Sequence, residues 1–164
     1  MLLKQGLPQN EHIGFLIAAT RRAIVRALGR HVRRYRLTPR QFWILVAIHE
    51  HPGLSLTELA THLRMDDPTA SRVVFALRKR RLIEVRGHDH DRRRRAIELA
   101  PAGAAIGGEL LALATSVREA VAHGLSAAHR RALRASLRRI ITNMERFHGG
   151  REAATLREPR RKRA

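Results

Sequence analysis

Hydroxyl, guanidinium, ammonium and aromatic side chains recur at helical spacing between residues 68 and 80. In a helix that turns by about 100° per residue, most of them share one face. No acidic residue lies in this stretch to balance their charge. Arginine can donate to two acceptors on a guanine edge, serine can bond several base edges, and an aromatic ring can contact a thymine methyl group. The pattern therefore predicts a surface that reads DNA bases. The predicted DNA-facing residues are Pro68, Thr69, Ser71, Arg72, Phe75 and Lys79.

A second basic segment follows directly. From Arg78 to Arg95 the chain has nine basic and three acidic residues. Crowding like charges in this way costs folding free energy and is typical of a surface that binds an anion, and DNA phosphate is the predicted anion. The basic residues of this segment assigned to DNA are Arg86, Arg92, Arg93, Arg94 and Arg95.

Two short helices and a hairpin are predicted to position these side chains. Residues 55–58 (Ser-Leu-Thr-Glu) form a capping box that starts the first helix. Asp67 is predicted as the N-cap of the second helix, with Pro68 as its first residue. Alternating apolar residues at 82–86 and 96–99, on either side of a polar tip, predict a β-hairpin. The fold class is therefore mainly α with a small β-hairpin wing, a winged helix-turn-helix.

The whole-chain composition narrows the class of protein. The 164 residues carry a formal net charge of +19, which indicates a nucleic acid or another anionic partner. No apolar run approaches the roughly 18 residues of a membrane span, and the first residues lack the form of a signal peptide, so we expect a cytoplasmic, nucleoid-associated protein without a membrane partner. The absence of cysteine excludes disulfides, thiol redox switches and thiolate metal sites.

Helical periodicity flanks the winged segment on both sides. Residues 38–41 form a second capping box, and Leu54 is expected to add a short strand to the hairpin. Pro101 is expected to open a long helix with heptad-like apolar spacing. The predicted organisation is a flexible N-terminus (1–10), a folded domain (11–148) made of a DNA-binding lobe (36–100) and dimerisation helices (11–35 and 101–148), and a basic disordered tail (149–164).

An ordered set of motif residues extends over residues 11–147. The set consists of Leu37-Thr38, Gln41-Phe42, Leu45, Leu56-Thr57-Glu58-Leu59-Ala60, Asp66, Thr69, Ser71-Arg72, Leu77, Leu82-Ile83, Asp91-Arg92-Arg93, Leu99 and Gly103. In this order and spacing they resemble the MarR family of bacterial transcriptional regulators, which are winged-helix homodimers that bind palindromic operators.

The resemblance implies a role for each element. The helix at 68–80 would be the recognition helix in the major groove, and the hairpin at 83–99 would be the wing, with Asp91 orienting Arg93 in a wing salt bridge. The terminal helices would form the homodimer. In this family a small-molecule effector, often an aromatic acid or phenol, binds between the dimerisation helices and the DNA-binding lobe. The residues expected near that site are Arg21, Arg22, His31, Trp43 and Ala47.

Three positions depart from the family pattern. Arg81 stands where the family usually has glycine, and because a left-handed backbone costs a non-glycine residue roughly 1 kcal/mol, we expect the turn there to be built differently. Ala100 replaces a threonine, so the helix from Pro101 is expected to start without a hydroxyl cap. Phe75 occupies a commonly polar position, where it either touches a base or packs under the wing.

Other classes of function are weighed against this one. Histidines flank Glu50 and recur at 88–91, but neighbouring helix residues do not face one another and the second group adjoins four arginines, so no metal site and no cofactor is predicted. No glycine-rich phosphate loop, nucleophile elbow or HExxH pair is present, so no enzyme is predicted. With the family resemblance, the prediction is a dimeric repressor released from a palindromic operator by a small aromatic or anionic ligand. The alternative is an architectural nucleic-acid-binding protein without sequence preference or ligand.

Overall fold

The computed structural model describes residues 11–88 and 91–148, and at positions 88, 91–94 and 148 it describes the backbone alone. Within that part the chain is mostly helical with one antiparallel hairpin, which confirms the predicted fold class, and it divides into two compact units between Val121 and Ala122. The elements are α1 (Ile13–Val32), α2 (Pro39–Glu50), α3 (Leu56–Leu63), α4 (Asp67–Lys79), β1 (Ile83–His88), β2 (Asp91–Leu99), α5 (Pro101–Ala122) and α6 (Ala127–His148), with a 3₁₀ turn (Arg33–Tyr35) after α1.

Reciprocal caps begin α2 and α3, as predicted. The Gln41 amide donates to Thr38 Oγ1 at 3.2 Å, and the Thr38 amide donates to Gln41 Oε1 at 2.9 Å. The Glu58 amide donates to Ser55 Oγ at 3.3 Å, and the Ser55 amide donates to Glu58 Oε2 at 2.9 Å. Each box satisfies two amides that a helix start would otherwise leave unpaired, so both starts are fixed by local sequence.

The predicted N-cap of α4 is wrong by one residue. Asp66 is the cap, and its Oδ1 accepts a hydrogen bond from the Thr69 amide at 2.8 Å. Asp67 is therefore the first helical residue and Pro68 the second, which proline also tolerates because neither amide has a partner inside the helix. Hydrogen bonding by Thr69 holds the pKa of the Asp66 carboxyl below its usual value.

The hairpin pairs in a register that begins at Ile83 opposite Leu99 and continues to Gly87 opposite Arg95. The register shifts between Gly87 and His88, close to the tip. The short strand expected at Leu54 is present as a single bridge to Ile97, so the hairpin is tied to the segment between α2 and α3.

The core surrounds α2, which packs against α1, α3, α4 and β2. Its largest fully buried side chains are Phe42, Leu28, Ile44, Leu45, Ile48, Leu59, Leu77, Ile83, Ile97 and Leu110. The start of α5 approaches this core closely, since a Cβ atom at Gly103 would lie 2.0 Å from the carbonyl oxygen of Leu82. The expected start of α5 without a hydroxyl cap is confirmed, because the Ala100 carbonyl accepts the Gly103 and Ala104 amides.

Helix α6, in the second unit, has an apolar stripe that its own unit leaves exposed. The stripe comprises Leu133, Leu137, Ile141, Met144 and Phe147. No helix in the two described ranges has both the length and the hydropathy required to cross a bilayer.

Candidate nucleic-acid interface

The outward face of α4 presents the side chains that the periodicity placed there. Ala70, Val74 and Leu77 are buried on the inner face. Pro68, Ser71, Arg72, Phe75 and Lys79 are exposed on the outer face, and Thr69 is half-buried. The predicted orientation of the helix is confirmed, whereas contact of these residues with DNA stays a prediction.

The nearest contacts of the charged groups on this face are with neutral side chains, although Arg72 also interacts electrostatically with the Asp66 carboxylate at the start of α4. Arg72 Nη2 donates to Thr69 Oγ1 at 3.4 Å, one helical turn away. Lys79 Nζ lies 4.9 Å from the centroid of the Phe75 ring, which is a cation–π arrangement. No ion pair with a described acidic residue neutralises either cation. The face therefore offers two positive charges and a serine hydroxyl to an external acceptor.

A groove of about 230 Å³ separates α4 from the hairpin. Its lining residues are Leu56, Ser71, Val74, Phe75, Arg78, Val85, Arg95 and Ile97. Phe75 is 58% exposed, so its ring forms an open wall of this groove and does not pack beneath the wing. An apolar floor below Arg78 and Arg95 suits a sugar-phosphate backbone, whose sugar is apolar at its carbons and whose phosphate needs a cation.

The wing arginines differ in their surroundings. Arg86 donates to Glu84 Oε1 at 2.6 Å and lies 3.5 Å from Glu98 Oε2, and these carboxylates raise the pKa of its guanidinium. The charge of Arg86 is thus balanced within the hairpin. Arg95 is exposed opposite Gly87 without such a partner among the described carboxylates. The side chains of Arg92, Arg93 and Arg94, and the Asp91–Arg93 pair, lie outside the described side chains and remain predictions.

The turn after α4 corrects the expectation for Arg81. Its φ of 55° places it in the left-handed region, so the turn is not built differently despite the missing glycine. The Arg81 amide donates to the Arg78 carbonyl at 2.9 Å, and the Leu82 amide donates to the Leu77 carbonyl at 3.1 Å. These bonds close the helix in the usual left-handed manner and offset part of the cost of the non-glycine residue.

Comparison with known proteins identifies the family. Residues 37–94 match the sequence profile of the MarR family. Over 109 residues the chain is 31% identical to the HTH-type transcriptional repressor NicR of Pseudomonas putida, which covers 66% of this chain and 69% of NicR. This chain belongs to the MarR family. It is accordingly a DNA-binding, winged-helix transcriptional regulator.

Solved structures of related proteins are similar to this protein over most of its length. A probable transcriptional regulator from Pseudomonas aeruginosa is 31% identical, with a TM-score of 0.63 over 81% of this chain and 99% of that one. BpsR of Bordetella bronchiseptica is 26% identical, with a TM-score of 0.67 over 83% of this chain and 97% of BpsR. In BpsR, 6-hydroxynicotinic acid regulates DNA binding.

The five residues expected at an effector site of this MarR-family protein do not converge on one cavity. A groove of about 630 Å³ lies between α1 and α5 and is lined by Thr20, Ala23, Ile24, Ala27, Leu28, His31, Leu113, Ser116, Val117, Ala120 and Val121. His31 is thus part of its wall. Arg21 and Arg22 are exposed on α1 outside that lining, Trp43 is half-buried on α2, and Ala47 is 2% exposed and closed to a ligand in this conformation.

One polar contact between α2 and α5 was missed from the sequence. Arg118 donates to both carboxylate oxygens of Glu50 at 2.8 Å, and its guanidinium carbon lies 5.9 Å from the centroid of the Trp43 ring. The hydrogen bonds from Arg118 lower the pKa of Glu50. Sixty-eight residues separate the partners, so local pattern alone could not pair them.

The histidines beside Glu50 have structural surroundings. The rings of His51 and His62 meet edge to face with centroids 4.8 Å apart, and a Cβ atom at Gly107 would lie 2.7 Å from His49 Nδ1. In the described part of the chain no three histidine or carboxylate side chains are grouped as a metal site would require. The residues at 89–90, which belong to the other histidine cluster, lie outside the described residues.

Proposed function

We propose that this protein is a homodimeric transcriptional repressor that binds a palindromic operator and releases it when a small molecule binds. The observation that carries the proposal is the outer face of α4, where Ser71, Arg72 and Lys79 are exposed and neither cation forms an ion pair with a described acidic residue. An ordinary solvated helix face carries both acidic and basic residues. The outer face of α4 instead supplies hydrogen-bond donors and positive charges, which suit the acceptor atoms of base edges and phosphates.

The proposed binding mode places α4 in the major groove. Its 13 residues span about 20 Å, and its exposed donors lie along one side, where they meet base edges. In this binding mode Arg95 and the predicted wing residues Arg92, Arg93 and Arg94 would contact the minor groove, whose narrow A·T stretches attract arginine. No described carboxylate pairs with Arg95, whereas two carboxylates balance the charge of Arg86, so we assign the larger wing contribution to Arg95.

A two-fold dimer would present two copies of α4. The exposed apolar stripe of α6 supports a subunit interface, because covering apolar side chains lowers the free energy. In the other unit, Ile13, Phe15 and Leu16 of α1 are also exposed and support the same kind of contact. In a symmetric dimer the two recognition helices lie about 34 Å apart, one turn of DNA, and read the same sequence in both half-sites.

The proposed effector is a small aromatic acid. Two observations support this class: the regulation of BpsR by 6-hydroxynicotinic acid, and the apolar groove between α1 and α5. His31, Thr20 and Ser116 would supply hydrogen bonds there, and Arg21, which follows Thr20 on α1, would supply a charge to a carboxylate at the rim. Such a ligand releases DNA only if it binds one dimer geometry more tightly than the other.

Salt-controlled binding of genomic fragments against random competitor DNA tests the proposal. A repressor is expected to prefer a fragment containing a palindrome by roughly 10³-fold or more. The architectural alternative, in which charge alone binds, predicts a flat profile, and that result would contradict the proposal. Adding 6-hydroxynicotinic acid to the selected complex then tests release, with His31→Ala as the variant expected to release less readily.

A further inference from the structure

Five residues in the described ranges adopt the left-handed backbone conformation that favours glycine; two of them are glycines, Gly53 and Gly124, and the other three are arginines. In the described ranges, the non-glycine residues with positive φ are Arg36 (54°), Arg64 (50°) and Arg81 (55°). Arginine accounts for 30 of the 164 residues, so composition alone does not explain three arginines in three such positions. The left-handed region costs a non-glycine residue roughly 1 kcal/mol at each.

These three arginines flank α4. Arg64 ends α3, two residues before the Asp66 cap of α4. Arg81 lies two residues after Lys79, the last residue of α4. Arg36 is held at the same end, because Arg80 Nη1 donates to its carbonyl oxygen at 2.7 Å. One arginine therefore lies at the start of α4 and two lie at its end.

The fold itself makes no visible use of their charge. All three side chains are exposed, and within the described residues none of their guanidinium groups forms an ion pair or hydrogen bond. By contrast, Arg80 and Arg118 are fixed by carbonyl or carboxylate acceptors. A cation near a helix C-terminus gains about 0.3–1 kcal/mol from the helix dipole, which at most offsets the backbone cost.

We propose that Arg36, Arg64 and Arg81 bind DNA phosphates on the two strands that border the major groove occupied by α4. The major groove of DNA is about 12 Å wide, and α4 is about 20 Å long. Long arginine side chains at both ends of α4 would therefore reach the phosphate backbones that border the groove. Contacts of this kind fix the position of the reading helix and carry no sequence information themselves. The inference rests on the DNA-binding function proposed above and adds residues outside the reading face.

The test replaces each arginine by asparagine, which accepts a left-handed backbone and removes the charge. Arg→Lys at the same position keeps the charge, and Arg139→Gln on exposed α6 is the control that removes an equal charge elsewhere. Affinity for a random 30-base-pair duplex and for the selected operator is measured across a salt series. Each asparagine variant of a dimer should lower the slope of log affinity against log salt by about 2, since each lost phosphate contact accounts for about 0.9.

The expected result includes unchanged or raised resistance to denaturant for the asparagine variants, and lysine should restore the slope. A slope equal to that of Arg139→Gln would overturn the inference. So would a loss of affinity that follows a loss of stability, because that indicates a structural role. A wild-type protein that binds random and genomic DNA equally would contradict the repressor proposal, yet the slopes on random DNA would still decide this one.

Discussion

Helices α2 and α6 are both rich in large apolar residues, but these residues have opposite surroundings. Six of the 12 residues of α2 are buried by α1, α3, α4 and the hairpin. In α6, residues 127–147 include no buried side chain, although leucine, isoleucine, methionine and phenylalanine recur along one face. The same hydrophobic free energy acts on both helices. Helix α2 is therefore stabilised by contacts within its own unit, whereas the exposed apolar face of α6 is the surface that we propose a second subunit covers.

The largest expected effect is on the free energy of unfolding, when a leucine of α2 or of α6 is replaced by alanine. Leu45 on α2 is 1% exposed, and Leu137 on α6 is 37% exposed. Leu45→Ala should lower the free energy of unfolding by about 2–5 kcal/mol, because it leaves a cavity in a close-packed core. Leu137→Ala should leave the core intact and weaken the dimer. Denaturant unfolding and sedimentation, each over a series of protein concentrations, measure the two quantities separately.

Equal effects of the two variants on unfolding and on dimerisation would contradict the contrast between α2 and α6. A Leu137→Ala protein with the dimer dissociation constant of the wild type would show that the α6 stripe does not lie in the interface. A Leu45→Ala protein that loses less than about 1 kcal/mol would show that α2 is not the centre of the core.

A smaller effect is expected where the start of α5 packs closely against the core around α2. Gly103→Ala should destabilise the protein by about 1–3 kcal/mol, because the new Cβ would lie 2.0 Å from the Leu82 carbonyl oxygen and backbone must move. Gly108→Ala is the matched control on the same helix, since nothing lies within 4 Å of its Cβ position. This control should gain up to about 1 kcal/mol from helix propensity. Equal melting shifts for the two variants would contradict the close approach.

The smallest effect concerns the polar edge of α2 and depends on pH. Arg118 lowers the pKa of Glu50, so the ion pair stabilises the folded state above the unfolded pKa and is lost as pH falls through the folded value. Because the Arg118 side chain is 49% exposed, solvent screening limits this to less than about 1 kcal/mol. Glu50→Gln should be slightly less stable than wild type at pH 7, and this difference should shrink as the pH falls through the lowered pKa of Glu50. A stability difference that grows on acidification would contradict the assignment.

Local sequence predicted the elements well because their determinants are local. The capping boxes at Thr38 and Ser55 and the alternation around the hairpin lie within a few residues of what they determine. The sequence does not distinguish the two adjacent aspartates, since Asp66 and Asp67 are equally good N-caps for α4. The hydrogen bond from the Thr69 amide to Asp66 identifies Asp66 as the cap.

Contacts between distant segments could not be predicted in this way. Tyr35 donates to Glu109 at 2.5 Å across 74 residues, which raises the pKa of the Tyr35 hydroxyl. The pairing of Arg86 with Glu84 and Glu98 was within reach of sequence reasoning, since the hairpin register sets the two glutamates opposite each other. The left-handed backbone of the three arginines could not be predicted from the sequence as a set. Only Arg81 occupies a position where the family usually has glycine.

The central claim, that the outer face of α4 reads base pairs, is tested most directly by the affinity of Arg72→Ala for two duplexes of equal length and equal salt. One duplex contains the selected operator and the other a random sequence. Loss of the arginine should cost about 1–3 kcal/mol on the operator and relax discrimination at one base pair, with little change on random DNA. An equal loss on both duplexes would show that Arg72 binds only phosphate and would contradict the account.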